Sequence, residues 1–126
     1  MEHIPFGPHL TLDLSGCPEG ILADLPRHFR FLKELPEALG MTAIIQPYVF
    51  PYSGLVPEDE GITGVTIIAE SHCSIHSFQR KGYSFIDIFS CKPVDMGKVI
   101  PIVQETFQPS NIVQNLVQRG LDFPRY

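Results

Sequence analysis

The alternation of apolar and polar residues predicts a strand near the start of the chain and a helix after it. Residues 9–15, HLTLDLS, place leucines at every second position, which is typical of a strand with one buried face. From Asp24 the apolar spacing becomes helical, and Gly40 stands where a helix usually ends. Asp24 is suited to cap the first turn, and Pro36 is expected to distort or end the last one.

The middle of the chain is predicted to contain further strands. Residues 41–50 indicate a strand at a sheet edge or a bulge, because Pro47 cannot donate a ladder hydrogen bond. Residues 51–62 have the composition of a loop. The two strongest strand patterns are GVTIIAE at 64–70 and YSFIDIFSC at 83–91.

The final third of the chain predicts a helix and one more strand. Asp95 is suited to cap a helix whose apolar residues recur up to Phe107, and residues 111–117 follow as a short strand. This order predicts an α+β fold, a two-layer sandwich with two helices on one face of a mostly antiparallel sheet. Two helices leave the other sheet face uncovered, so we expect a homodimer whose sheets pack together.

Composition limits the classes of partner. A chain of 126 residues is expected to form one domain over residues 1–126. The net charge of −5 and the scattered basic residues argue against nucleic-acid and anionic-membrane partners. No apolar stretch approaches the roughly 20 residues of a membrane helix, and the first five residues do not resemble a secretory signal. Three cysteines without a C-x-x-C motif indicate free thiols and a cytoplasmic setting.

Candidate chemistry is concentrated where the strand at 64–70 ends. Ser71 follows Glu70 there, His76 comes five residues later, and Cys91 lies at the end of the next strong strand. A serine near a histidine can act as a nucleophile beside a base, and a cysteine can donate a proton. We expect the fold to bring the side chains of Ser71, His76 and Cys91 together.

Simpler interpretations of the same residues stay open at this point. Ser71 could be an ordinary turn residue, and Cys73 and Cys91 could be small buried side chains. His72 and His76 could bind a metal from one face of a helix, but β-branched neighbours disfavour a helix and no further ligand completes the set. We therefore expect no metal, and spacing alone leaves the function undecided.

The segment GITGVTIIAESHCSIH, followed by YSFIDIFSC, resembles the self-processing segment of the prokaryotic S-adenosylmethionine decarboxylases. That family has approximately G-x-S-G, an apolar strand, E-S-H, three residues, H-T, and later D-x-F-x-C. Thr63 stands where the family has serine, and it keeps the hydroxyl. The opening GPHLTLDLSGC also resembles the start of the family, so the likeness spans nearly the whole chain. The residues that match in type and spacing are Glu70, Ser71, His72, His76, Asp87, Phe89 and Cys91.

The resemblance implies a proenzyme that cleaves itself. The Ser71 hydroxyl would attack the carbonyl of Glu70 and convert the amide to an ester, with Thr63 assisting the intermediate. Loss of the α-proton, assisted by His76, would release the first fragment. Residue 71 would then become a pyruvoyl group, a covalent cofactor at the start of the second fragment.

The resemblance also implies a decarboxylase of a small molecule. The pyruvoyl ketone would form a Schiff base with the amino group of S-adenosylmethionine and act as the electron sink when carbon dioxide leaves. Cys91 would return a proton to the α-carbon, and the product would supply polyamine synthesis. In this family two protomers pack their sheets together as a homodimer, and Phe50 or Tyr52 is available to stack on the adenine.

One departure from the family pattern affects the substrate. The family has P-E where this chain has Gln79-Arg80, and that glutamate binds the ribose hydroxyls. A guanidinium only donates hydrogen bonds, and near a sulfonium at ~4 Å it would cost about 4 kcal/mol at an effective dielectric of 20. Arg80 is suited to a carboxylate, so a decarboxylase of arginine or ornithine is an alternative. Arg80 could also be a solvated turn residue, and the protein could be an uncleaved, non-catalytic homologue.

Overall fold

One antiparallel sheet organises the molecule. The computed structural model describes residues 4–124, so Met1–His3 of the N-terminal segment considered above lie outside the described residues. The strand order in the sheet is β2-β3-β4-β5-β1-β6, and every pairing is antiparallel. The strands are β1 (Gly7–Ser15), β2 (Tyr48–Tyr52), β3 (Gly61–Ile68), β4 (Ser71–Phe78), β5 (Tyr83–Phe89) and β6 (Asn111–Arg119).

Three helices cover one face of this sheet. They are α1 (Glu19–Leu22), α2 (Leu25–Ala38) and α3 (Met96–Phe107), and two short 3₁₀ turns occupy Pro57–Asp59 and Gln79–Lys81. The leucines of β1 pack with Ile75 of β4, Leu32 of α2 and Val103 of α3 in one buried cluster. The predicted α+β class is therefore confirmed, with one additional helical turn.

The opposite face of the sheet, which we call the open face, carries large exposed side chains. They come from the alternate positions of the strands, including Phe50 of β2, Ile67 of β3, Phe85 of β5 and Val117 of β6, each of them at least 39% exposed. The helices do not reach these residues, because a strand directs successive side chains to opposite faces. A second protomer covering the open face remains a prediction.

The helix starts follow the predicted capping pattern. Asp24 accepts a hydrogen bond from the backbone N–H of Arg27 at 3.1 Å, and Asp95 accepts one from Gly97 at 2.9 Å. Pro36 lies inside α2, which ends two residues later at Ala38. No helix within residues 4–124 is long and apolar enough to cross a membrane.

Two strand predictions differ from the structure. The strand expected over 41–50 is wrong in its first part, because β2 begins only after Pro47 and an isolated bridge joins Ala43 to Ile68. The edge position predicted from Pro47 is confirmed, since β2 is the first strand of the sheet. β4 was not predicted as a strand. Two of its four inward side chains are serines, so an apolar alternation is hard to detect.

Candidate active site

The turn between β3 and β4 holds a strained residue. Ile68 pairs with Ser71, which leaves Ala69 and Glu70 as a two-residue turn. Glu70 has a φ of 64°. This lies in the left-handed region, which residues other than glycine adopt at a cost of about 1–2 kcal/mol. The carbonyl of this strained residue forms the peptide bond with Ser71, so the strain lies at the predicted cleavage site.

Ser71 and Cys91 meet at this turn, as the sequence predicted. Ser71 is buried at 7% exposure, and its hydroxyl oxygen accepts a hydrogen bond from the backbone N–H of Cys91 at 2.9 Å. The Cys91 thiol donates to the carbonyl of Ala69 at 3.5 Å. We call Ala69, Glu70, Ser71 and Cys91 the turn site, since these bonds join the chain after β5 to the β3–β4 turn.

Close backbone packing brings Cys91 to the turn site. A side chain at Gly7 would place its Cβ 1.8 Å from the carbonyl oxygen of Ser90, so only glycine permits this approach. The Ser90 N–H donates to the carbonyl of Pro8 at 3.0 Å, and the Ser90 hydroxyl donates to the carbonyl of Lys92 at 2.7 Å. The start of β1 thus fixes the segment that carries Cys91.

Cys91 is the accessible thiol of the described chain. All three cysteines are free, as predicted, and Cys17 and Cys73 are buried. Burial raises the pKa of the Cys17 thiol to about 11 and that of Cys73 to about 12, so both stay protonated. The structural interpretation of Cys73 as a packing residue is confirmed.

Thr63 and His76 form a second group on the open face. They are direct cross-strand partners of β3 and β4, and the threonine hydroxyl lies 3.3 Å from Nδ1 of the imidazole. Both line a cavity of about 350 Å³, with Gly61 and Ser77 completing its wall. We call this cavity the aromatic pocket, and its defining residues are Phe50, Tyr52, Asp59, Thr63, His76 and Phe78.

The two groups are separate within one chain. Ser71 and His76 are five positions apart on β4, an odd number, so their side chains point to opposite faces of the sheet. At ~3.3 Å per residue they are also about 16 Å apart along the strand. The expectation that a single chain brings Ser71, Cys91 and His76 together is therefore wrong: the first two meet, whereas His76 meets Thr63.

His72 lies beside the turn site but on the open face. Its ring centroid is 6.3 Å from that of His9 and 5.6 Å from that of Phe89. Burial, and then the neighbouring His9, lower the pKa of His72, so this imidazole is neutral near pH 7. His72 and His76 are about 13 Å apart along the strand, too far to share a metal ion. Within residues 4–124 no cluster of three metal-ligating side chains occurs.

Arg80 does not line the aromatic pocket. Its guanidinium lies 3.2 Å from the carboxylate of Glu60, and Lys81 donates to Asp59 at 2.6 Å, so two ion pairs connect the 3₁₀ turns. The charge of Arg80 is balanced by Glu60 and is not directed at the pocket, which weakens the argument that it would repel a sulfonium.

Asp59 is the charged residue that the sequence analysis missed. It lines the aromatic pocket, whose other walls are largely aromatic, while Phe50 and Tyr52 line the pocket as predicted. Residues 51–62 were interpreted only as a loop, and the acidic run at 58–60 directly before a strand was the available signal.

Comparisons with known proteins agree on one family. A family model described as S-adenosylmethionine decarboxylase matches residues 8–120. An S-adenosylmethionine decarboxylase proenzyme from Methanococcus maripaludis strain C7 is 32% identical over 117 residues, covering 91% of this chain and 90% of its own. A protein of the same name from Pyrococcus furiosus is 28% identical, covering 92% and 80%. The crystal structure of the adenosylmethionine decarboxylase from Aquifex aeolicus matches with a TM-score of 0.75 at 20% identity, covering 95% and 93%, which confirms the fold.

The strain at Glu70 is measurable in a chain that cannot cleave. In a Ser71→Ala background, Glu70→Gly should raise the free energy of unfolding by about 1 kcal/mol, because glycine adopts positive φ without a steric cost. Ala69→Gly is the matched control and should lower stability slightly, since Ala69 has no positive φ and glycine adds freedom to the unfolded chain. Urea unfolding measures both changes, and an unchanged midpoint for Glu70→Gly would contradict the strain.

Proposed function

The chain belongs to the S-adenosylmethionine decarboxylase family, and we propose that it is a proenzyme, one domain over residues 1–126, that cleaves itself between Glu70 and Ser71. The cleaved protein is a carboxy-lyase that decarboxylates S-adenosylmethionine for polyamine synthesis, as a cytoplasmic homodimer. The observation that carries the proposal is the turn site, where a strained glutamate, a buried serine hydroxyl and a thiol meet inside the matching E-S-H segment.

The turn site is suited to the first step of processing. The Ser71 oxygen attacks the Glu70 carbonyl carbon, a carbon–oxygen bond forms and the carbon–nitrogen bond breaks. The hydroxyl proton passes to the released nitrogen, so an ester and a free Ser71 amine replace the amide. The hydrogen bond from the Cys91 N–H restrains the Ser71 oxygen near the turn. Conversion to the ester removes the peptide constraint that holds Glu70 in the left-handed region, so the strain favours the reaction.

The residues around position 71 fit a pyruvoyl group formed at that position. Such a group supplies a carbonyl that takes up the electron pair when carbon dioxide leaves. The buried start of β4 would hold it, and the Cys91 N–H that now contacts the Ser71 oxygen remains as a hydrogen-bond donor. The Cys91 thiol lies next to this position and is the group that we assign to returning a proton to the substrate.

Thr63 and His76 are assigned to processing across the dimer. Within one chain they lie on the opposite side of the sheet from Ser71 and about 16 Å away along β4. The open face on which they lie is the one that lacks helices and exposes apolar side chains, which favours its burial in a dimer. We therefore assign each complete site to the turn site of one protomer and the Thr63–His76 pair of its partner.

The aromatic pocket is assigned to the substrate. Phe50 and Tyr52 are available to stack on an adenine. Oδ1 of Asp59 is paired with Lys81, and its second carboxylate oxygen is available to accept hydroxyl hydrogen bonds. Because Glu60 pairs with Arg80, the arginine at position 80 does not add an unbalanced positive charge to this region.

Asp59 also favours a second candidate, a pyruvoyl-dependent decarboxylase of arginine or ornithine. A guanidinium or ammonium group fits an aromatic pocket through a cation–π contact, and the Asp59 oxygen that Lys81 does not contact can accept one of its hydrogen bonds. This candidate keeps the same turn site and the same cleavage, and it differs only in the substrate.

Cleavage is tested by the mass of the purified protein. The 14.1 kDa chain should yield fragments 1–70 and 71–126, with the second lacking a free amine, because residue 71 loses its nitrogen. Ser71→Ala should remain one species. A wild-type chain that stays at 14.1 kDa after long incubation would overturn the proposal and leave a non-catalytic homologue.

Hybrid dimers test whether His76 acts across the interface. Neither Ser71→Ala nor His76→Ala should cleave alone, but co-expression should cleave the His76→Ala chain, which then receives an imidazole from its partner. The matched control pairs His76→Ala with a chain carrying both Ser71→Ala and His76→Ala, and no cleavage is expected. Absence of cleavage in the first mixture, with mixed dimers verified by two affinity tags, would place His76 in its own chain's site.

Substrate assays on the processed enzyme separate the two candidates. We expect carbon dioxide release from S-adenosylmethionine in preference to arginine and ornithine, and Asp59→Asn should raise KM about tenfold, the loss of a charged hydrogen bond of ~1.4 kcal/mol. Glu58→Gln is the control, because Glu58 neither lines the aromatic pocket nor forms an ion pair among the described residues, so KM should be nearly unchanged. A preference for arginine or ornithine would select the second candidate.

A further inference from the structure

A chain of polar side chains crosses the apolar core behind the aromatic pocket. His28 of α2 is fully buried, and its Nδ1 lies 2.8 Å from the carbonyl oxygen of Asp24. Its Nε2 lies 2.7 Å from the hydroxyl of Ser77, which is 2.9 Å from the hydroxyl of Ser84. The Ser84 oxygen in turn lies 3.3 Å from the carbonyl oxygen of His76. We call His28, Ser77 and Ser84 the His28 relay.

The direction of these hydrogen bonds follows from the groups involved. The Asp24 carbonyl can only accept, so Nδ1 of His28 carries the hydrogen. Burial lowers the pKa of His28, so the ring is neutral near pH 7 and Nε2 accepts from the Ser77 hydroxyl. Ser77 is then free to accept from Ser84, whose single hydrogen is shared between the Ser77 oxygen at 2.9 Å and the His76 carbonyl oxygen at 3.3 Å.

Packing alone does not account for these residues. An imidazole and two hydroxyls lose favourable hydration in the core, and aromatic neighbours such as Phe107, 5.2 Å from His28, would pack equally well against a leucine. The relay also joins three elements, α2, β4 and β5, at a defined place. Ser77 is adjacent to His76 in sequence and lines the aromatic pocket with it.

We propose that His28 is a positioning residue for His76, which acts through Ser77 and Ser84 to fix the β4 and β5 backbones beneath the aromatic pocket. This inference rests on the proposed function of His76 in processing. The relay holds the backbone on both sides of His76, because Ser77 is its neighbour and Ser84 contacts its carbonyl oxygen. The imidazole on the open face is thereby kept opposite Thr63.

The test measures the rate of Glu70–Ser71 cleavage after in vitro translation, at a temperature where each variant is folded. His28→Leu and Ser77→Ala should each slow cleavage about tenfold, since a displacement of ~1 Å can cost on the order of a hundredfold. The double variant should be no slower than His28→Leu, because the relay acts as a unit. His28→Gln retains an acceptor for Ser77 and should restore most of the rate.

Leu32→Ala is the matched control for core damage. Leu32 is buried on the same helix and has no polar contact with the relay, so this variant should lose stability but cleave at the wild-type rate. The proposal is overturned if folded His28→Leu cleaves as fast as wild type, if the losses of the double variant multiply, or if Leu32→Ala is slowed as much as Ser77→Ala.

A second measurement separates this inference from the proposed function. In an uncleavable Ser71→Ala chain, nuclear magnetic resonance reports the ring nitrogens of His76 directly. Ser77→Ala should shift the His76 resonances and weaken the contact with Thr63, whereas Leu32→Ala should not. Unchanged His76 resonances in Ser77→Ala would overturn the relay. If Ser77→Ala shifts these resonances but the wild-type chain does not cleave, only the processing function is overturned.

Discussion

The two-residue period of β4 is the constraint on which the site depends. Ser71 and His76 belong to the same strand, but an odd separation directs the first toward the helices and the second toward the open face. The nucleophile therefore shares its side of the sheet with a thiol and a strained turn. The imidazole shares its side with a hydroxyl and aromatic rings. We propose that these two groups are half-sites and that a second copy of the chain completes each site.

Each half-site depends on the strand next to β4. On the turn side, the segment after β5 is held against β1 by a backbone approach that only glycine at position 7 allows, and this places Cys91 beside Ser71. On the pocket side, the pairing of β3 with β4 sets Thr63 opposite His76, and the edge strand β2 adds the aromatic wall. The chemistry is therefore sensitive to strand register, because a slip of one residue would reverse the faces of both groups.

Local charge is balanced at the edge of the aromatic pocket. The 3₁₀ turns before β3 and after β4 face each other, and two ion pairs join them. These pairs are partly exposed, so each contributes little to stability. Their effect is positional: Arg80 is occupied by Glu60, while Asp59 keeps its place in the pocket wall. The substitution that looked most disruptive in the sequence is neutralised by a residue twenty positions earlier.

The sequence by itself determined the elements with a clear period and the residue types of the site. The leucine alternation of β1, the capped helices α2 and α3, and the E-S-H segment were all predictable, because they depend on neighbours within a few positions. The tertiary structure alone decided that β4 is a strand, that His76 lies away from Ser71, and that Asp59 rather than Arg80 lines the pocket. These features depend on which strands pair and which face each side chain takes, and contacts between distant residues set both.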